Sequence, residues 1–97
     1  MDIGGVRLTG RLICRSEEEA DVVRRHLAEH VALTLAEPGC VRFEITPLGG
    51  GRAWSVEELF VDEAAFRAHQ RRMAGSEWGR ATAGLERRYR IVGLSSD

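Results

Sequence analysis

Apolar residues in this chain recur at every second position, then at every third or fourth, then at every second again, and that switching of period leaves few folds open. From Val6 to Arg15, the residues Val6, Leu8, Gly10, Leu12 and Cys14 fall on one side and Arg7, Thr9, Arg11, Ile13 and Arg15 on the other, the pattern of a half-buried strand. Ser16-Glu17-Glu18-Glu19 reads as a capping box, and its glutamates suit the positive end of a helix dipole. Ala20, Val23, Leu27, Val31 and Thr34 follow at helical spacing, and Glu37-Pro38-Gly39 stops that helix. A second strand, from about Cys40 to Pro47, points Val41, Phe43 and Ile45 one way and Arg42, Glu44 and Thr46 the other. The loop centred on Gly49-Gly50-Gly51 turns it into a third, Ala53 to Val61, with Trp54, Val56, Glu58 and Phe60 on one face and Ser55, Glu57 and Leu59 on the other. Asp62 caps a second helix that begins at Glu63 and turns Ala65, Phe66, His69 and Met73 inward. Ser76 caps a short helix through Trp78 and Ala81, and a last strand, about Glu86 to Gly93, sets Tyr89 and Ile91 opposite Arg88, Arg90 and Val92.

The order βαββαβ predicts an α+β, ferredoxin-like domain: one antiparallel sheet with its helices on one face. The 97 residues suffice for a single domain, 1–97, with a core over about 6–93. A net charge of −1 argues against binding nucleic acid by general attraction, and no apolar run is long enough for a membrane span. No leader pattern is expected from the start Met1-Asp2-Ile3-Gly4-Gly5, which makes the cytoplasm the expected location. Cys14 and Cys40 are expected as reduced thiols, because they fall on the first and second strands, which do not neighbour one another in this topology.

Three motifs carry possible chemistry. His26-Leu27-Ala28-Glu29-His30 has the H-x-x-E-H spacing of some zinc peptidases, but so small a domain offers no substrate cleft or distant third ligand, so no metal or cofactor is expected. His30 lies nearer the buried stripe than His26 and is expected to border a pocket. Gly49-Gly50-Gly51 joins two strands and lacks the Gly-Lys-Ser/Thr of a phosphate loop. The sharpest anomaly is Glu58, a carboxylate between Val56 and Phe60 on the covered face, where it costs free energy unless paired, hydrogen-bonded or protonated. His69 on the following helix faces the same space. A Glu58–His69 couple walled by Trp54, Phe43, Phe60, Phe66, Trp78 and Tyr89, with His30 at its border, is the candidate site.

The opposite sheet face mixes Ile13, Leu59 and Val92 with alternating arginines and glutamates, a composition suited to a polar interface as well as to a solvated face. The run Glu37-Pro38-Gly39-Cys40, Arg42-Phe43-Glu44, Glu58-x-Phe60-x-Asp62-x-x-Ala65-x-x-x-His69 and Ser76-x-Trp78 resembles the antibiotic biosynthesis monooxygenase domain family. The resemblance implies a homodimer whose sheets pack face to face into a dimeric α+β barrel. It also implies oxidation of a quinol or a polycyclic phenol of anthrone type by O2, without metal or flavin. Glu58, Phe60, Asp62, Ala65 and His69 carry over by position. On this reading His69 is base or anion donor, Glu58 its orienter, and Trp54 with Trp78 the aromatic walls. The sequence has no Asn, which argues against the haem-degrading chemistry of those relatives that use one. The alternative is a non-catalytic dimeric module of the same fold that binds a small molecule or serves in stress.

Overall fold

The computed structural model of the chain describes residues 5–95; Met1 to Gly4, on which the leader reading partly rests, and residues 96–97 lie outside the described residues. The elements run β1 (Val6–Ile13), α1 (Glu17–Leu35), β2 (Cys40–Pro47), β3 (Ala53–Phe60), α2 (Glu63–Ala74), α3 (Glu77–Ala81) and β4 (Glu86–Val92). All strand pairs are antiparallel, in the order β2-β3-β1-β4, so β1 lies between the third and fourth strands as the ferredoxin-like topology requires. The helices cover one face of an open sheet. Val6, Leu8, Leu12, Trp54, Val56 and Phe60 from the sheet meet Ala20, Val23, Phe66 and Trp78 from the helices in one core. Among the described residues no helix is long and apolar enough to cross a membrane.

The caps follow the sequence, with one departure. Ser16 accepts from the Glu19 N–H at 3.2 Å, Asp62 from the Ala65 N–H at 2.8 Å and Ser76 from the Gly79 N–H at 3.1 Å. The Glu19 carboxylate, however, does not close the box on Ser16. It accepts from the Arg15 N–H at 2.7 Å and from the Arg15 guanidinium at 3.1 Å, which ends β1 at Ile13 instead of Arg15. The Cys14 N–H leaves the ladder for the Arg52 carbonyl at 2.8 Å.

Three expectations about faces are corrected. The buried stripe of α1 runs Ala20, Val23, His30 and Thr34, with Leu27 partly buried; Val31 is only half-buried, because steps of 3.6 residues carry the stripe from 27 to 30. Val41 is 56% exposed, since a register shift between Cys40 and Arg42 turns it off the covered face and leaves Cys40 against the core. Ile91, on the covered side of edge strand β4, is 40% exposed, near the end of that strand. Close approach requires glycine at position 10: Gly10 has φ +154, and a Cβ there would lie 2.1 Å from the Arg88 carbonyl oxygen of the neighbouring strand.

Candidate active site

Between sheet and helices lies a cavity of about 120 Å³. Leu8, Ile45, Val56 and Glu58 form its floor, and Arg87 and Tyr89 of β4 its side. His30 comes from α1, His69, Gln70 and Met73 from α2, and Trp78 from α3. The period-two phase of β3 places Val56 and Glu58 there together, and a one-residue slip would instead have exposed Trp54 and Phe60. On α2, His69 and Met73 stand four residues apart on one helix face.

The structure thus brings Glu58, His69, His30, Trp78 and Tyr89 to one cavity and leaves four of the expected wall residues off its lining. Trp54 is buried elsewhere, in register with Leu12 and Pro47, four residues and about 13 Å along β3 from Glu58. Phe66 packs edge-on against Phe60, with centroids 5.9 Å apart, behind the cavity. Phe60 backs the His69 ring at 4.9 Å, and Phe43 meets the rings of His30 at 5.3 Å and His69 at 5.7 Å. These phenylalanines hold the two imidazoles in place without facing the cavity.

The partner of His69 also differs from the expected one. His69 Nδ1 lies 3.0 Å from Oε1 of Glu37, in the loop between α1 and β2, and not on Glu58. Arg72, one turn later on α2, binds the other Glu37 oxygen through Nε and donates to Thr34 Oγ1 at 3.0 Å. A carboxylate that accepts from Arg72 accepts from His69 too, so Nδ1 carries the proton and Nε2 keeps the lone pair. Glu37 and Arg72 were missed because the sequence shows Glu37 only as part of a helix stop. The contact spans 32 residues along the chain. Arg87 could have been found from phase alone, since it shares the inward parity of Tyr89 in β4. Its guanidinium is fixed by Thr82, whose carbonyl accepts at 2.7 Å and whose Oγ1 accepts at 2.8 Å.

Burial governs the titration of these groups. It pushes the Glu58 carboxyl up to about 7, with the Glu37 charge adding to the rise and Arg87 opposing it. It drives His30 down to about 3, helped by the charges of His69, Arg72 and Arg87. It also lowers His69, while the Glu37 charge and hydrogen bond pull the other way. Tyr89 is raised to about 12, again chiefly by burial. Two buried side-chain atoms of the cavity residues, Glu58 Oε1 and His30 Nδ1, have no hydrogen-bond partner among the described residues. The His30 ring stacks on Trp78, the two planes 3° from parallel and the centroids 4.5 Å apart. His26 is half-buried and Glu29 exposed, and among the described residues no group of three or more metal-ligating side chains gathers. The cavity therefore holds an acid poised near neutrality, an oriented neutral imidazole and a fixed cation.

A family model described as antibiotic biosynthesis monooxygenase matches residues 9–80. No curated protein matches the chain. Among solved structures, Rv0793 from Mycobacterium tuberculosis is similar at a TM-score of 0.71 and 17% identity, covering 96% of this chain and 97% of that one. MupZ from Pseudomonas fluorescens is similar at 0.77 and 16% identity, over 94% of this chain and 69% of that one. A protein of unknown function from Bacteroides thetaiotaomicron, described as a possible oxidoreductase, reaches 0.68 at 14% identity, over 93% and 97%. At these identities the likeness is one of fold.

Proposed function

The chain belongs to the antibiotic biosynthesis monooxygenase family, and from that premise we propose that it is a cofactor-independent monooxygenase acting on a phenolic or quinol substrate with O2. The observation that carries the reading is Glu58: a buried carboxyl with a pKa of about 7 and an unpartnered oxygen, beside the Arg87 cation. Triplet dioxygen reacts slowly with a closed-shell phenol and far faster with its anion. Glu58 takes the phenolic proton, and Arg87 stabilises the anion in a site walled by the buried His30, His69 and Trp78. One-electron transfer from the anion to O2 gives a radical pair, which collapses to a C–O bond. The hydroperoxide so formed loses water. For a quinol the sum is quinol plus O2 giving hydroxyquinone plus water: one oxygen atom enters the ring and the other leaves as water. His69, neutral and held through Nδ1 by Glu37, offers Nε2 to the proton that must move in the last step.

The test is oxygen uptake with a panel of quinols and anthrones. His69→Ala is expected to lower turnover by about 10²-fold or more while the fold persists. If wild-type protein consumes no oxygen beyond autoxidation with any member of the panel yet still binds one of them, the protein is the binding module of the alternative reading. If His69→Ala and Glu58→Gln leave a measured oxidation intact, the assigned residues are the wrong ones.

A further inference from the structure

Resting on the oxygenase reading, we infer that the substrate is a single-ring phenol or quinol whose polar groups meet Glu58 and His30, and that polycyclic phenols are excluded. Two independent observations point there. The first is size. An enclosed apolar cavity of about 150 Å³ is known to take benzene, and ordinary ligand pockets begin near 300 Å³. The cavity here is about 120 Å³, the scale of one six-membered ring. Its floor cannot retreat, because Leu8 and Val56 are 3% and 2% exposed and belong to paired central strands. Its Trp78 wall is fixed by the parallel stack on His30. Met73, half-buried and flexible, is the wall that can give to admit ring substituents. Three fused rings exceed a volume of this size and would have to extend out of it.

The second observation is polarity. Glu58 and His30 are 8% and 4% exposed, both line the cavity, and each leaves a side-chain atom without a hydrogen-bond partner among the described residues. Buried polar atoms that the protein leaves open are matched by water or by ligand. A ring bearing two hydroxyls supplies a donor to the carboxylate and a second group to the imidazole, and its apolar faces meet Val56 and Trp78.

The experiment pairs anaerobic calorimetric titration with oxygen uptake, using methylhydroquinone and anthrone on the wild type and on Met73→Ala. The wild type is expected to bind methylhydroquinone at least about tenfold more tightly than anthrone, and Met73→Ala to narrow that ratio by about tenfold. Glu58→Gln should weaken methylhydroquinone about tenfold and leave toluene unchanged. Binding of anthrone by the wild type as tight as that of methylhydroquinone, or no binding of either, overturns the inference. Should Met73→Ala fail to fold, the wild-type ratio alone decides. The two readings separate cleanly. Selective binding of methylhydroquinone without oxygen uptake removes the oxygenase and keeps the single-ring site, whereas oxygen uptake with anthrone and none with methylhydroquinone keeps the oxygenase and removes the single-ring site.

Discussion

At the scale of single residues, Glu58 ties stability to function. Its carboxyl titrates at about 7 in the folded protein against 4.5 in an unfolded chain, because burial disfavours the charged form. Between those values the folded state holds a proton that the unfolded state has lost. The stability that this group confers is fully present below pH 4.5 and is lost as pH rises through about 7. A gap of this size is worth on the order of 3 kcal/mol. Glu58→Gln, which mimics the neutral acid, should therefore melt several degrees above the wild type at pH 8 and close to it at pH 4. Thermal melts of both proteins across that range check this, and parallel melting curves at every pH would show that Glu58 is not the group that titrates. The same residue thus loses stability where a base is useful, the usual condition of an active-site carboxyl.

At the scale of elements, the loop between α1 and β2 does more than turn the chain. Glu37 in it holds His69 and Arg72 of α2, and Gly39 lets α2 approach: a Cβ at Gly39 would lie 2.3 Å from the Ala65 Cβ. Gly39→Ala should push the start of α2 outward and loosen the Glu37–His69 contact one turn further on. A loss of about 1–3 kcal/mol in urea unfolding is expected, with a raised KM for any substrate found. Unchanged stability would mean that α2 has slack the geometry does not suggest. The same loop marks the limit of what the sequence made legible. Strand phase showed that Glu58 is buried, and helix spacing that His69 faces the same space, because each needs only local periodicity. The Glu37–His69 pair depends on how a loop and a helix far apart in the chain come together, and no local period encodes that. Val41 was misplaced for a related reason: a bulge adds one residue to β2 without any signature in its alternating pattern. Trp54 was assigned to the right face of β3, but position along a strand, unlike side, follows only from what packs above it.

At the scale of the whole molecule, the helices cover only one face of the sheet. The other carries Arg42 bridging Glu44 at 3.1 Å and Glu57 at 3.2 Å, with Ile13 and Leu59 half-buried and Val92 54% exposed. Within one chain these ion pairs stand half-exposed and contribute little. We propose that this face packs on a second copy of the chain about a two-fold axis, closing two open sheets into the barrel that the family resemblance implies. Leu59 tests the idea sharply. Its register neighbours are Arg7 on β1 and Arg42 on β2, so a single chain accommodates Leu59→Glu as one more partner for two arginines. At a two-fold interface the same change buries two added carboxylates, one from each copy. That should weaken association by about a hundredfold or more. Light scattering at micromolar concentration is expected to give twice the chain mass for the wild type and the single-chain mass for Leu59→Glu, with the circular dichroism of the two unchanged. A wild type that is monomeric under these conditions, or a Leu59→Glu protein that stays dimeric, rules out this face as the interface. Because the cavity lies on the opposite side of the sheet, a folded Leu59→Glu monomer would also show whether the Glu58 carboxyl keeps its raised pKa without a partner, by the same pH-dependent melting.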